Sequence, residues 1–224
     1  MSTILGDAKL ETLLASLHAE SDSQTPAMAR YYGERAAAGD IDWDRMNQRT
    51  HSFLADKLVA LDRDKARFCY QLCRALNARR VVEAGTSFGV STLYLAAAVR
   101  DNGGGLVIGT EHEPAKARTA RASFAAAGLG EFIDLREGDL RETLKDPGGP
   151  VDFMLIDIWI PMARPSLELV APHLRPGAIV MCDNTAQFRA AYQDYFQFVE
   201  DPANGLRTQT LPFQGGFEMS VRCD

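Results

Sequence analysis

Val81-Val82-Glu83-Ala84-Gly85-Thr86-Ser87-Phe88-Gly89-Val90-Ser91 starts as a short apolar run, breaks into a glycine-bearing loop and ends where a helical pattern begins. A strand running into a helix through such a loop does two things. Its glycines allow a tight turn and close approach of backbone to a ligand. The unpaired N–H groups of the new helix favour an anionic group such as a carboxylate.

Reading outward, the same unit recurs. Apolar runs end near residues 84, 109, 135, 156 and 182, at gaps of 25, 26, 21 and 26 residues. Each gap holds one helix and two turns. Pro114 stands at a first helical position and Gly128 follows a last turn, the usual asymmetry of helix ends. Near-continuous apolar strands alternating with helices predict a parallel sheet covered on both faces. The C-terminal end breaks the rhythm. Residues 206–212 and 216–222 read as strands around Gln214-Gly215-Gly216, and that gap is too short for a parallel crossover. The expected fold is therefore α/β, a Rossmann-like, doubly wound, mostly parallel seven-stranded sheet closed by an antiparallel hairpin.

Upstream, Cys69, Leu72, Cys73 and Leu76 repeat at helical spacing, which predicts a helix over 62–77 with Asp62 as N-cap and Asn77 as stop. Residues 1–60 are polar and read as two or three helices broken at Thr25-Pro26 and Gly39-Asp40. They form an N-terminal helical segment (lid, substrate or dimer contact) before a domain over 61–224. The net charge of −6 argues against a nucleic-acid partner. No basic-then-apolar start and no long apolar stretch is present, so the expectation is a cytoplasmic protein without a membrane contact. Four cysteines without knuckle spacing read as thiols in a reducing compartment.

Ligands of open parallel sheets sit beyond the carboxyl ends of the strands, where strand order reverses. The second strand ends in Glu111, placed to accept hydrogen bonds from two ribose hydroxyls. The third leads to Asp139-Leu140, beside which a base edge can be read. The fourth ends in Asp157-Ile158-Trp159 and the fifth in Asp183-Asn184. Two carboxylates and an amide oxygen at adjacent strand ends suit a hard cation such as magnesium. His112 and His173 read as structural or solvated.

Taken together, the loop 83–91, Glu111-His112-Glu113-Pro114, Asp157, Leu174-Arg175-Pro176-Gly177, Asp183-Asn184 and the hairpin Leu211-Pro212 to Ser220 resemble the class I S-adenosylmethionine-dependent, cation-dependent O-methyltransferases of the catechol and caffeoyl-CoA type. The resemblance spans about residues 60–224. It implies methyl transfer from S-adenosylmethionine to an oxygen of a small molecule, assisted by Mg2+ or another divalent cation, in a homodimer. It implies a cofactor site of Glu83, Gly85, Ser87, Ser91, Glu111, Asp139, Leu140, Asp157, Ile158 and Trp159. Within it, Glu83 and Gly85 border the methionine end, and Ser91 holds its carboxylate. The same resemblance implies a metal on Asp157, Asp183 and Asn184.

One position departs from the pattern. Where the family often carries a lysine base, three residues after Asp157, this chain has Ile160, which cannot accept a proton. The departure keeps open a cofactor-binding protein with little activity. Gly85-Thr86-Ser87-Phe88-Gly89 also matches the G-x-S-x-G of serine hydrolases, although it follows the first strand rather than several. A nicotinamide dehydrogenase would need a third glycine that the loop lacks.

Overall fold

The computed structural model describes residues 3–40 and 47–223. The N-terminal segment holds α1 (Ala8–Ala37) and α2 (Gln48–Leu54), followed by α3 (Arg63–Ala75). Then come β1 (Arg80–Ala84), α4 (Val90–Asp101), β2 (Leu106–Glu111), α5 (Pro114–Ala127), β3 (Ile133–Glu137), α6 (Leu140–Thr143) and β4 (Val151–Ile156). The chain continues through α7 (Ile160–Val170), β5 (Leu174–Asp183) and α8 (Gln193–Glu200) to the hairpin β6 (Leu206–Leu211) and β7 (Phe217–Arg222).

The sheet order is β3-β2-β1-β4-β5-β7-β6. The first five strands pair in parallel, and β7 runs antiparallel to both β5 and β6. Alternate side chains of each strand enter opposite layers. Val81, Phe153 and Ile179 face the side carrying α1, α3, α4 and α5, whereas Val82, Met154 and Val180 face α6, α7 and α8. Helix α4 is buried from Val90 to Val99, which explains its unbroken run of apolar and small residues. Strand order reverses between β1 and β4, so a crevice opens over their carboxyl ends.

One expectation about the N-terminal segment changes. Thr25-Pro26 does not end a helix, because α1 runs through Pro26 for 30 residues. A proline inside a helix removes one hydrogen bond at a cost of about 3 kcal/mol. Apolar contact on both sides of it offsets this cost: Leu10 and Leu14 join the core against the sheet. Farther along, Met28 and Tyr32 reach the crevice. The N-terminal segment thus shares one core with the rest of the chain through Leu5, Leu10, Leu14 and Leu58. The break at Gly39 is present, with φ +66 just past the helix end. Helix α3 begins on Asp62, whose carboxylate accepts the Asp64 and Lys65 amides, and Asn77 follows it at φ +49.

Candidate functional site

A cavity of about 510 Å³ lies over the strand ends. The loop after β1 supplies Gly85, Thr86, Ser87, Phe88, Val90 and Ser91 to its wall. Glu111 follows from β2, Asp139 and Leu140 from the turn after β3, and Asp157, Ile158, Trp159 and Ile160 from the end of β4. Gly85 has φ +99, and a Cβ there would collide with the Asp157 carbonyl. Glycine is what lets the β1 loop and the β4 end close against each other.

Two carboxylates shape the loop. Glu83 is fully buried and accepts three hydroxyls: Ser91 at 2.7 Å on one oxygen, Thr86 at 2.9 Å and Thr92 at 2.5 Å on the other. Burial pushes its carboxyl above the usual range, and the three hydroxyls oppose that shift. Glu83 lies beneath the cavity wall rather than on it and fixes the loop to the start of α4. Ser91 spends its only hydrogen on Glu83. The amides that open α4 have no intrahelical acceptor. Glu111 accepts the Ser87 amide at 2.8 Å on one oxygen and the Glu113 amide at 2.7 Å on the other. These two N–H groups hold the carboxylate rigid while each oxygen keeps a lone pair for a ligand.

Residues 82–185 match the sequence profile of a family described as "Methyltransferase domain". The matched stretch runs from within β1 to just past the end of β5. Among curated proteins, the chain is 31% identical over 127 residues to the catechol O-methyltransferase of Mycobacterium tuberculosis, covering 56% of this chain and 57% of that protein. It is 27% identical over 130 residues to the catechol O-methyltransferase of Niastella koreensis, covering 56% and 58%. The aligned stretch thus spans somewhat over half the length of these relatives. Among solved structures, cofactor-bound Rv0187 from MTB superposes with a TM-score of 0.72 at 24% identity, over 99% of this chain and 93% of that one. The O-methyltransferase TomG from Streptomyces achromogenes, in complex with SAM, gives 0.68 at 21% identity over 80% and 92%. These likenesses establish the methyltransferase fold.

The sheet also brings Asp157, Asp183 and Asn184 to neighbouring strand ends, but the group that faces Asp183 was not anticipated. Lys65 of α3 places its ammonium 2.5 Å from one Asp183 oxygen and 3.3 Å from the Gly216 carbonyl. The Asn184 amide donates to the other oxygen at 2.9 Å. The Lys65 and Asp183 side chains are 3% and 8% exposed. Asp183 is not on the cavity wall, whereas Asp157 and Asn184 are. Burial pushes the Asp157 carboxyl well up, helped by the charges of Asp183 and Glu83 and opposed by Lys65. Burial likewise raises Asp183 against the pull of Lys65. Both Asp183 oxygens are engaged and a positive charge already stands beside them. The three residues, as arranged, do not fit the divalent cation expected of them. The physical reason is the ammonium, which competes for the same carboxylate and repels a second cation.

Other wall residues escaped the sequence reading. Met28 and Tyr32 of α1, His51 and Leu54 of α2, and Leu58 and Val59 after it close the cavity from the N-terminal side. His51 Nε2 lies 3.0 Å from Glu113. Lys116 sits over the Phe88 ring, and burial lowers its pKa against the nearby Glu111 and Glu113. Asp139 caps α6 and is held at about 2 by hydrogen bonds from the Arg141 side chain and amide. Ile160 packs into the core as the first residue of α7, with 8% exposure. Ser87 has φ +50, and its amide is committed to Glu111. All four cysteines are free thiols. No described helix is long and apolar enough to cross a membrane.

Proposed function

We propose that the chain transfers a methyl group from S-adenosylmethionine to a hydroxyl oxygen of a small molecule. The observation that carries this is the convergence of the β1 loop, Glu111, the Asp139-Leu140 turn and the Asp157–Trp159 segment on one cavity at the reversal of strand order. In this reading the Glu111 carboxylate accepts both ribose hydroxyls. Leu140, Ile158 and Trp159 enclose the adenine. The amides opening α4 take the methionine carboxylate, a duty the family resemblance had implied for Ser91. Asp157 lies beneath the positively charged methionine end.

Methyl transfer needs the sulfonium and the acceptor oxygen in line. Holding two reactants in such geometry is worth about 7–11 kcal/mol. Met28, Tyr32, Leu54, Leu58 and Val59 make the N-terminal wall largely apolar and aromatic, which suits an aromatic ring on the acceptor. No step here is assigned to a divalent cation, because Lys65 stands at Asp183. The serine hydrolase reading loses its support: the Ser87 loop is bound up with Glu111, and the matched family is one of methyltransferases.

Calorimetry with S-adenosylhomocysteine, together with mass-spectrometric detection of methyl transfer to a panel of phenols and catechols, tests the proposal. One cofactor bound per chain and a gain of one methyl on an acceptor oxygen are expected. No affinity for the nucleoside would end this reading. Binding without turnover across the panel would favour a cofactor-binding protein instead.

A further inference from the structure

We propose that Lys65 is the resident cation of the carboxylate pair at the ends of β4 and β5. Its ammonium takes the place a divalent metal would fill, so the chain binds its cofactor and acts without one. The inference rests on the methyltransferase reading for its meaning and on geometry for its support.

The ammonium is held from several independent directions. Asp62 caps α3 and accepts the Lys65 amide at 3.2 Å, so the first turn of the helix is fixed over the rim. From there the side chain enters the core side of α3, the face that also buries Ala66, Cys69 and Cys73. Its head meets Asp183 Oδ1, the Gly216 carbonyl and, at 5.6 Å, the ring of Phe217. The Gly215-Gly216 turn carries that carbonyl into place. Both glycines have positive φ, and a Cβ on Gly216 would strike Ala186. Asp183 is fixed from its other side by the Asn184 amide, and its backbone carbonyl accepts the Tyr192 hydroxyl at 3.0 Å.

The charges agree with this assignment. Lys65 and Asp183 form a buried ammonium–carboxylate pair at the rim, with the Asp157 carboxyl nearby, where burial and the Asp183 charge already disfavour a further negative charge. A dication added to this set would lie beside an ammonium already paired to the same carboxylate, and like charges in a site shielded from water repel strongly. A buried lysine that lost its partner would be costly, so Asp183 is not free to turn from Lys65 to a metal.

Binding of Mn2+, followed by electron paramagnetic resonance of the free ion in protein stripped with EDTA, tests the claim. Calorimetry with S-adenosylhomocysteine is run on the same samples. The wild-type chain is expected to bind the nucleoside equally well with and without EDTA and to take up no stoichiometric Mn2+ at about 1 mM. Lys65→Met removes the charge and keeps the stem. It is expected to gain Mn2+ affinity by about 100-fold or more, whereas Lys65→Arg keeps a cation and remains without metal. One Mn2+ bound tightly per wild-type chain overturns the proposal whatever the variants do. So does a folded Lys65→Met chain that binds Mn2+ no better than wild type. If Lys65→Met does not fold, the wild-type titration and Lys65→Arg still decide. A failure to bind the nucleoside would remove the functional reading, and the Mn2+ titration would still judge Lys65 separately.

Discussion

The two ends of the parallel sheet treat a carboxylate in opposite ways. At the lower end, Asp152 of β4 accepts the Arg79 and Arg80 amides at 2.7 and 2.8 Å and the Arg175 guanidinium at 2.5 Å. Burial alone would raise its pKa, but Arg175 and the two amides outweigh burial and hold the carboxyl below its ordinary value. At the upper rim, Glu83 of the neighbouring strand has only hydroxyl donors and its carboxyl is raised. The lower carboxylate helps the fold by being charged. Burial disfavours charge on the upper one, and its hydroxyl partners orient the loop that forms the cavity. The lower end of the sheet holds strands together, and the upper end holds a site ready.

The largest test of this contrast pairs the two ends. Glu111→Ala removes the rim carboxylate assigned to the ribose. Two charge-assisted hydrogen bonds are worth about 3 kcal/mol together, so affinity for S-adenosylhomocysteine should fall about 100-fold by calorimetry. Its effect on melting should be the smaller one. Asp152→Ala should do the reverse, lowering stability to urea by about 2 kcal/mol while leaving nucleoside affinity within twofold. A loss of affinity in Asp152→Ala equal to that in Glu111→Ala would erase the distinction between the two ends.

A pH series sharpens it. Asp152 has a folded pKa below its unfolded value of 3.8, so its contribution is full above that value and is lost as pH falls through the folded one. The stability gap between wild type and Asp152→Asn should therefore be about 1–2 kcal/mol at pH 7. It should close as the pH is taken below 3.8. A gap unchanged between pH 7 and pH 3 would show that Asp152 acts through packing and not through charge.

These ends differ also in how far the sequence reveals them. The strand rhythm was readable because each β–loop–helix unit repeats with a near-constant gap, and the C-terminal hairpin because its turn is too short for anything else. Glu111 and Asp157 were visible as carboxylates closing apolar runs. Lys65 was not read, because its partner lies 118 residues away and no local spacing points to it. A signal did exist: Lys65 precedes Cys69 by one turn on the apolar stripe, and a lysine on a buried face needs a carboxylate. The passage of α1 through Pro26 was hidden for a similar reason. The local rule for proline is strong, and what overrides it is contact with residues far along the chain.

The smallest effect concerns Glu83 itself. Glu83→Gln keeps the shape and can still receive the Thr86 and Thr92 hydroxyls on its remaining oxygen, with Ser91 rotating to accept from the new amide. Only the capacity to ionise is lost. Because the folded pKa of Glu83 lies above its ordinary value of 4.5, the wild-type side chain favours folding most when protonated, and that contribution fades as pH rises through the folded value. Glu83→Gln should therefore gain on wild type as the pH rises from 4 to 8, by about 1 kcal/mol at most, the opposite slope to the Asp152 pair. Melting temperatures of the two proteins across that range supply the measurement. A variant that loses stability relative to wild type as pH rises would mean that Glu83, like Asp152, is held by the fold because it is charged.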